Sequence, residues 1–341
     1  MLTQLFVLGT DGNLWLEFAQ DGTWGQPPRQ HVDGNVAAFQ PIDSYSAFVL
    51  GTDGNLWYEY TDSAQGWGPG VPPKRELVDG HVGAFQVSPN MSAAYVLGTD
   101  GNLWLEFAQD GEWGHPPRQH VDGSVAAFQV NNVTINGFNM FNAYVLGKDG
   151  NLWYEYTTSA QGWGPEVPPK RELVDGHVAA FEVLSATGSS GKGALLVLGD
   201  DGNLWFENQP RQIGNSWGQV PPRGREQVDG HVARFQAMTS AAVYVLGTDG
   251  NLWYEYTKAE GWGSEPEGPG IPPTRQQVDG HVAAFQGLSA TEALVLGTDG
   301  NLWHESASQF GDWGSTGFGP GVPPQGRQQI DGDVQTWALV P

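Results

Sequence analysis

The pentapeptide Asp-Gly-Asn-Leu-Trp begins at Asp11, Asp53, Asp100, Asp149, Asp201, Asp249 and Asp299, in steps of 42, 47, 49, 52, 48 and 50 residues. A self-similar period of this size means one supersecondary unit stacked along the chain, and it overrules the two or three domains that 341 residues would ordinarily imply. A second landmark, Asp-Gly followed by a variable residue and Val, comes after each pentapeptide, at Asp33, Asp79, Asp122, Asp175, Asp229, Asp279 and Asp331. The first and third units are nearly identical between the landmarks, as are the second and fourth, so a two-unit block has been duplicated.

One unit reads as four short strands. Val82 to Val87, Ala94 to Gly98, Leu103 to Phe107 and Arg118 to Val121 are rich in aromatic and β-branched residues, and none has helical spacing. Thr99-Asp100-Gly101-Asn102 joins the second and third strands, where Asp-Gly predicts the positive φ angles of a type I′ hairpin turn. Between the third and fourth strands lies a Trp-Gly-Pro-rich surface loop, because consecutive prolines remove donors and fix φ. Four antiparallel strands repeated seven times predict an all-β chain, a seven-bladed β-propeller. The repeats start near 1, 36, 82, 125, 178, 232 and 282, and 1–341 forms a single propeller domain. The chain starts at a second strand (Gln4 to Leu8) and stops after an extra first strand within 334–341, so that the C-terminal strand can complete the N-terminal blade and close the ring.

Composition narrows the function. Without cysteine there is no disulfide staple, thiolate nucleophile or Cys-built zinc site. A formal net charge of −23 repels phosphate backbones and anionic lipid, which argues against nucleic-acid partners. No apolar run approaches the ~20 residues that span a bilayer, so no membrane insertion is expected. The start has no export-signal pattern, which predicts a cytoplasmic protein or one exported without a cleaved signal.

Each unit carries a tryptophan in the third strand (Trp15, Trp57, Trp104, Trp153, Trp205, Trp253, Trp303), expected to pack between blades. Each also carries a loop tryptophan (Trp24, Trp67, Trp113, Trp163, Trp217, Trp262, Trp313). Two readings stand for this loop set. It is either a stacking platform for the C–H faces of a sugar ring, or a side chain that covers the blade edge and pins the loop. Two residues after the strand tryptophan comes a glutamate (Glu17, Glu59, Glu106, Glu155, Glu207, Glu255, Glu305), and an arginine opens the fourth strand (Arg29, Arg75, Arg118, Arg171, Arg225, Arg275, Arg327). The favoured reading of these is a repeated cross-strand ion pair, and the alternative is that both contact sugar hydroxyls.

The Asp-Gly-His turns (His81, His177, His231, His281) should share an acidic face with the Thr-Asp-Gly-Asn hairpins. Blade-to-blade repetition separates these histidines too far for one metal ion, and neither a metal nor a cofactor is expected. An active site needs a unique constellation, whereas nearly everything polar here recurs. The one-off residues His304, Arg234 and Lys148 and the insertion 131–142 compose no dyad or triad.

The repeated (Phe/Tyr)-Val-Leu-Gly-Thr-Asp-Gly-Asn-Leu-Trp run with its Trp-Gly loop resembles the tectonin and tachylectin-type propellers, especially the seven-bladed bacterial and fungal propeller lectins, over the whole chain. The resemblance implies a non-enzymatic, multivalent carbohydrate-binding protein whose partners are glycans or glycoconjugates, with shallow sites at or between blades that use the loop tryptophans and their polar neighbours. An alternative is a protein-interaction scaffold using the acidic face. A further one is a lyase or hydrolase with one site near the central channel, since Asp201 to Phe206 is also similar to the streptogramin-lyase propellers.

Overall fold

The structure, a computed structural model, describes residues 2–21, 23–25, 28–61, 66–67, 74–88, 93–108, 112–113, 118–130, 133–135, 138–140, 142–157, 163, 170–184, 194–207, 225–257, 262, 274–307, 313 and 326–340. Among them there is no helix. The repeats fold into seven antiparallel sheets, the all-β architecture of a seven-bladed β-propeller. In the second repeat the strands are Val36–Asp43, Ser46–Gly51, Leu56–Tyr60 and Lys74–Asp79, hydrogen-bonded in chain order.

The first sheet takes its inner strand from the far end of the chain. Val334–Leu339 pairs antiparallel with Leu2–Gly9, with Leu5 opposite Leu339 and Val7 opposite Trp337. Its other strands are Leu14–Gln20, Gln30–Asp33 and the short Thr23–Trp24. In the insertion of the fourth repeat, Val133–Ile135 and Phe138–Met140 pair as a separate two-stranded ribbon. The predicted strands stand with small shifts: the third-repeat strands are Val82–Val87, Ala93–Gly98, Leu103–Phe107 and Gln119–Asp122, the last running one residue later at each end.

The chain divides into two compact units. One is Met1–Val125 with Trp163–Pro168 and Ile330–Pro341, and the other is Ala126–Gly162 with Pro169–Gln329. In both, the second strand of each sheet is the best buried, as at Ala47–Leu50 and Val243–Leu246. These strands read as continuous apolar runs because both of their faces are covered.

The hairpin turn differs from its prediction. A type I′ turn needs two consecutive residues at positive φ, whereas here only Gly12, Gly54, Gly101, Gly150, Gly202, Gly250 and Gly300 have it, with φ between 77° and 85°. Gly12 N–H donates to Gly9 C=O at 3.0 Å and Gly9 N–H to Asn13 C=O at 2.9 Å. This is a three-residue loop closed by a left-handed glycine. Asp11 selects it by accepting from the Asn13 backbone N–H at 3.0 Å and from its carboxamide at 2.7 Å, an arrangement that leaves Asp11 itself right-handed.

In the Asp-Gly-x turn the left-handed residue is the variable one: Asn35, His81, Ser124, His177, His231, His281 or Asp333, at φ 56° to 60°. The two kinds of turn sit side by side, as predicted. Val36 N–H donates to Gly12 C=O, and Thr52 N–H of the next sheet to Asn35 C=O.

Candidate functional site

Strand alternation sends Leu56 and Tyr58 to one face of the third strand, and Trp57 and Glu59 to the other. The fourth strand lies opposite with Arg75 facing Glu59 and Leu77 facing Trp57, the register shifting between Leu56 and Trp57 so that Val78 turns inward. This local geometry recurs and brings three of the predicted side chains together.

The arginine lies over the strand tryptophan. The guanidinium carbon is 4.1 to 4.2 Å from the ring centroid for Arg29 on Trp15, Arg118 on Trp104, Arg171 on Trp153, Arg225 on Trp205, Arg275 on Trp253 and Arg327 on Trp303, and 5.4 Å for Arg75 on Trp57. Such a contact contributes roughly 0.5–2 kcal/mol. The expected cross-strand ion pair is present beneath it, with Arg75 at 2.6 Å from Glu59, Arg171 at 3.1 Å from Glu155, and Arg275 and Arg327 each at 3.3 Å from Glu255 and Glu305. Arg225 and Glu207 stand at 3.5 Å, and Arg29 and Glu17 at 3.6 Å.

A third member was not foreseen. Each of six arginines also reaches the aspartate of the preceding repeat's Asp-Gly-x turn, giving Arg29–Asp331, Arg75–Asp33, Arg118–Asp79, Arg225–Asp175, Arg275–Asp229 and Arg327–Asp279 at 3.0 to 3.4 Å. The arginine thus ties its own sheet to the one before it. The signal was the second Asp-Gly landmark, whose aspartate recurs in every repeat.

The glutamates are buried, none more than 5% exposed. Burial, reinforced by the facing aspartate and opposed by the arginine, pushes Glu17 and Glu106 up to about 7, Glu59 to about 8, and Glu207 and Glu305 to about 9. Glu255 rises well above the ordinary carboxyl range for the same reasons. The arginine side chains keep 21% to 46% of their surface in solvent, and the strand tryptophans are half-buried.

The residue facing the strand tryptophan varies. His31 and His120 stand edge-on to Trp15 and Trp104 at 4.9 Å between ring centroids. Leu77 and Leu173 occupy the position in the second and fourth repeats, and Gln227, Gln277 and Gln329 in the last three. The glutamines donate to the turn residues Asn203, Asn251 and Asn301 at 2.9 to 3.2 Å. Seven similar edges therefore carry a half-buried tryptophan covered by a guanidinium, with a neighbour of three chemical kinds.

The loop tryptophans take the place expected of the strand set. Trp67, Trp113, Trp163, Trp262 and Trp313 are 1% to 7% exposed. Trp67 meets Phe6 of the preceding repeat edge-on at 6.3 Å, Trp113 meets Phe48 at 5.2 Å and Trp313 meets Tyr244 at 6.4 Å. Their N–H groups point into the fold: Trp67 donates to Ser44 C=O, Trp262 to Ser240 C=O and Trp313 to Ala290 C=O at 2.8 to 3.0 Å, and Trp163 to the Tyr95 hydroxyl at 3.1 Å. Their faces lie against apolar cores and are not open platforms. Trp24 is half-buried and pairs with Ala19 on a short strand, and Trp217 lies outside the described residues. The strand tryptophans are correspondingly shallower than expected, because each lies opposite the outermost strand of its sheet, where Leu77 is 48% exposed.

The turns are a second polar feature repeated within each unit. The Asn two residues on, through its backbone N–H and its carboxamide, holds Asp11, Asp53, Asp100, Asp149, Asp201, Asp249 and Asp299 below the ordinary aspartate value. His81, His177, His231 and His281 are exposed beside them.

No family model matches this chain, and no curated protein matches it. Among solved structures it is similar to a "putative 6-phosphogluconolactonase" from Bacteroides fragilis, at 11% identity and a TM-score of 0.57 over 100% of this chain and 98% of that one. A structure described as the AfRom2 CNH domain aligns at 11% identity and a TM-score of 0.47, covering 80% of this chain and 81% of that one. At this identity the first likeness speaks to the fold alone.

Proposed function

We propose that the chain is a non-enzymatic, multivalent carbohydrate-binding protein whose sites lie along the repeated strand-tryptophan and arginine edges. One observation carries the reading. The arginine, half-buried tryptophan and variable neighbour stay accessible in each described repeat, whereas the glutamates and five loop tryptophans are consumed inside the fold. The glutamate and aspartate already balance the guanidinium charge, so the N–H groups left over suit neutral hydroxyls better than anions. A shallow edge of this kind binds weakly, with a dissociation constant on the order of millimolar, about −4 kcal/mol. Repetition offsets the weakness on a glycan-coated surface, where linked events gain ~10² to 10⁴.

A glycan-array screen of the intact chain tests the reading. Binding of a neutral sugar class, competed by the free sugar, supports it; silence at high protein concentration sinks it.

A second reading has its own observation in the second unit alone, the turns that carry the ionised Asp149, Asp201, Asp249 and Asp299 beside the exposed His177, His231 and His281. Such turns would recruit a basic protein. The expected signature is binding that weakens steeply with salt and ignores free sugar.

A further inference from the structure

Among the described contacts that hold two carboxyl groups against one guanidinium between consecutive sheets, four have the most deeply buried glutamates: Glu59 and Asp33 with Arg75, Glu207 and Asp175 with Arg225, Glu255 and Asp229 with Arg275, and Glu305 and Asp279 with Arg327. All four glutamates have 0% exposure. If both carboxyls were ionised, each contact would bury an excess negative charge, which a protein interior does not tolerate without a further partner. Among the described residues the arginine and the aspartate are the only charged groups acting on each of these glutamates. Among the described residues, neither carboxyl oxygen of Glu207, Glu255 or Glu305 receives a hydrogen bond, nor does Oδ2 of Asp175 or Asp229. Glu59 accepts from Arg75 at 2.6 Å through one oxygen, and its Oε2 has no donor among the described residues. A buried carboxyl oxygen left without a donor beside a second carboxyl is what a shared proton satisfies, since a protonated carboxyl donates to a neighbouring carboxylate.

We propose that each of these four Glu–Asp pairs shares one proton, so that the chain takes up protons when its sheets pack and loosens as those protons leave above neutral pH. This stands independently of any ligand. The sign follows from linkage. Each glutamate's folded value, about 8 to 9 where resolved, lies above its ordinary 4.5, so the stabilisation is full below about pH 4.5 and is lost as pH rises through the folded value. An acidic chain would ordinarily relieve self-repulsion by the same trend, so the proton itself must be observed.

Infrared spectroscopy of the intact protein supplies that observation. The expected result is a protonated-carboxyl C=O band at pH 6, where exposed carboxyls are ionised, fading by pH 10 as the melting temperature falls. Glu255→Gln with Glu305→Gln keeps the hydrogen-bond donor and removes the titration. That pair of changes should weaken the band, lower proton uptake on folding at pH 6 by about two, and flatten the fall in melting temperature. A wild-type protein without the band at pH 6 overturns the proposal whether or not the variant folds. A folded variant with unchanged proton uptake also overturns it.

Discussion

Each repeat contains two tryptophans separated by a few residues of strand and a loop, and the fold uses them in opposite ways. Trp67 is 3% exposed, donates its N–H to Ser44 C=O and sets its ring against Phe6 of the preceding repeat. Trp57, ten residues earlier, is half-buried beneath Arg75. A loop residue became core and a strand residue became surface. What decides this is where the side chain meets the neighbouring repeat, and neither secondary structure nor polar neighbours report that.

The largest effect should come from the buried member. Trp67→Ala, which empties a packed site, is expected to cost about 3–5 kcal/mol in denaturant unfolding, against about 1–2 kcal/mol for Trp57→Ala. The reverse order would break the comparison. Arg275→Ala sharpens it from the other side. Removing the cation leaves Glu255 and Asp229 facing each other, so the expected loss is on the order of 2 kcal/mol, discounted for the arginine's partial exposure. That loss should grow with rising pH, because burial and Asp229 hold the Glu255 carboxyl well above its ordinary range and removing the cation makes its ionisation costlier, and a loss that does not change with pH would contradict the charge accounting.

The smallest effect tests a polar tie on the first strand. Gln40 accepts from Val87 N–H at 2.9 Å and donates to Val87 C=O at 3.4 Å, and Gln236 makes the same pair of bonds with Gly287. In the fifth repeat Glu182 replaces the glutamine and accepts from Ala237 N–H at 2.8 Å. Burial raises the Glu182 value against the pull of that N–H. Glu182→Gln restores the missing donor and should stabilise the protein by roughly 0.5–1 kcal/mol at pH 8, with the gain shrinking toward pH 4 as Glu182 itself becomes protonated. Thermal melting at the two pH values measures it.

Much of the fold was legible. Strand positions, the pairing of the C-terminal strand with Leu2–Gly9 and the adjacency of the two turns follow from alternation and repeat order, which act within one unit of sequence. The hairpin type was missed because the Asp11 carboxylate, by holding Asn13, decides where the positive φ falls. At the candidate site the Glu–Arg pair was legible as a cross-strand neighbour, whereas Asp33 meeting Arg75 depends on how one sheet lies on the next. The exchange of roles between Trp57 and Trp67 is invisible for the same reason. Glu182 was readable without coordinates, as a lone glutamate aligned with Gln40, Gln86, Gln129, Gln236 and Gln286.

Calorimetric titration of the intact chain with a neutral sugar recovered from the glycan array tests the central claim most directly, because it counts sites. The account predicts several equivalents per chain, falling by about one for each of Trp104→Ala and Trp153→Ala while the protein stays folded. A single equivalent, or a count unmoved by both changes, would contradict it.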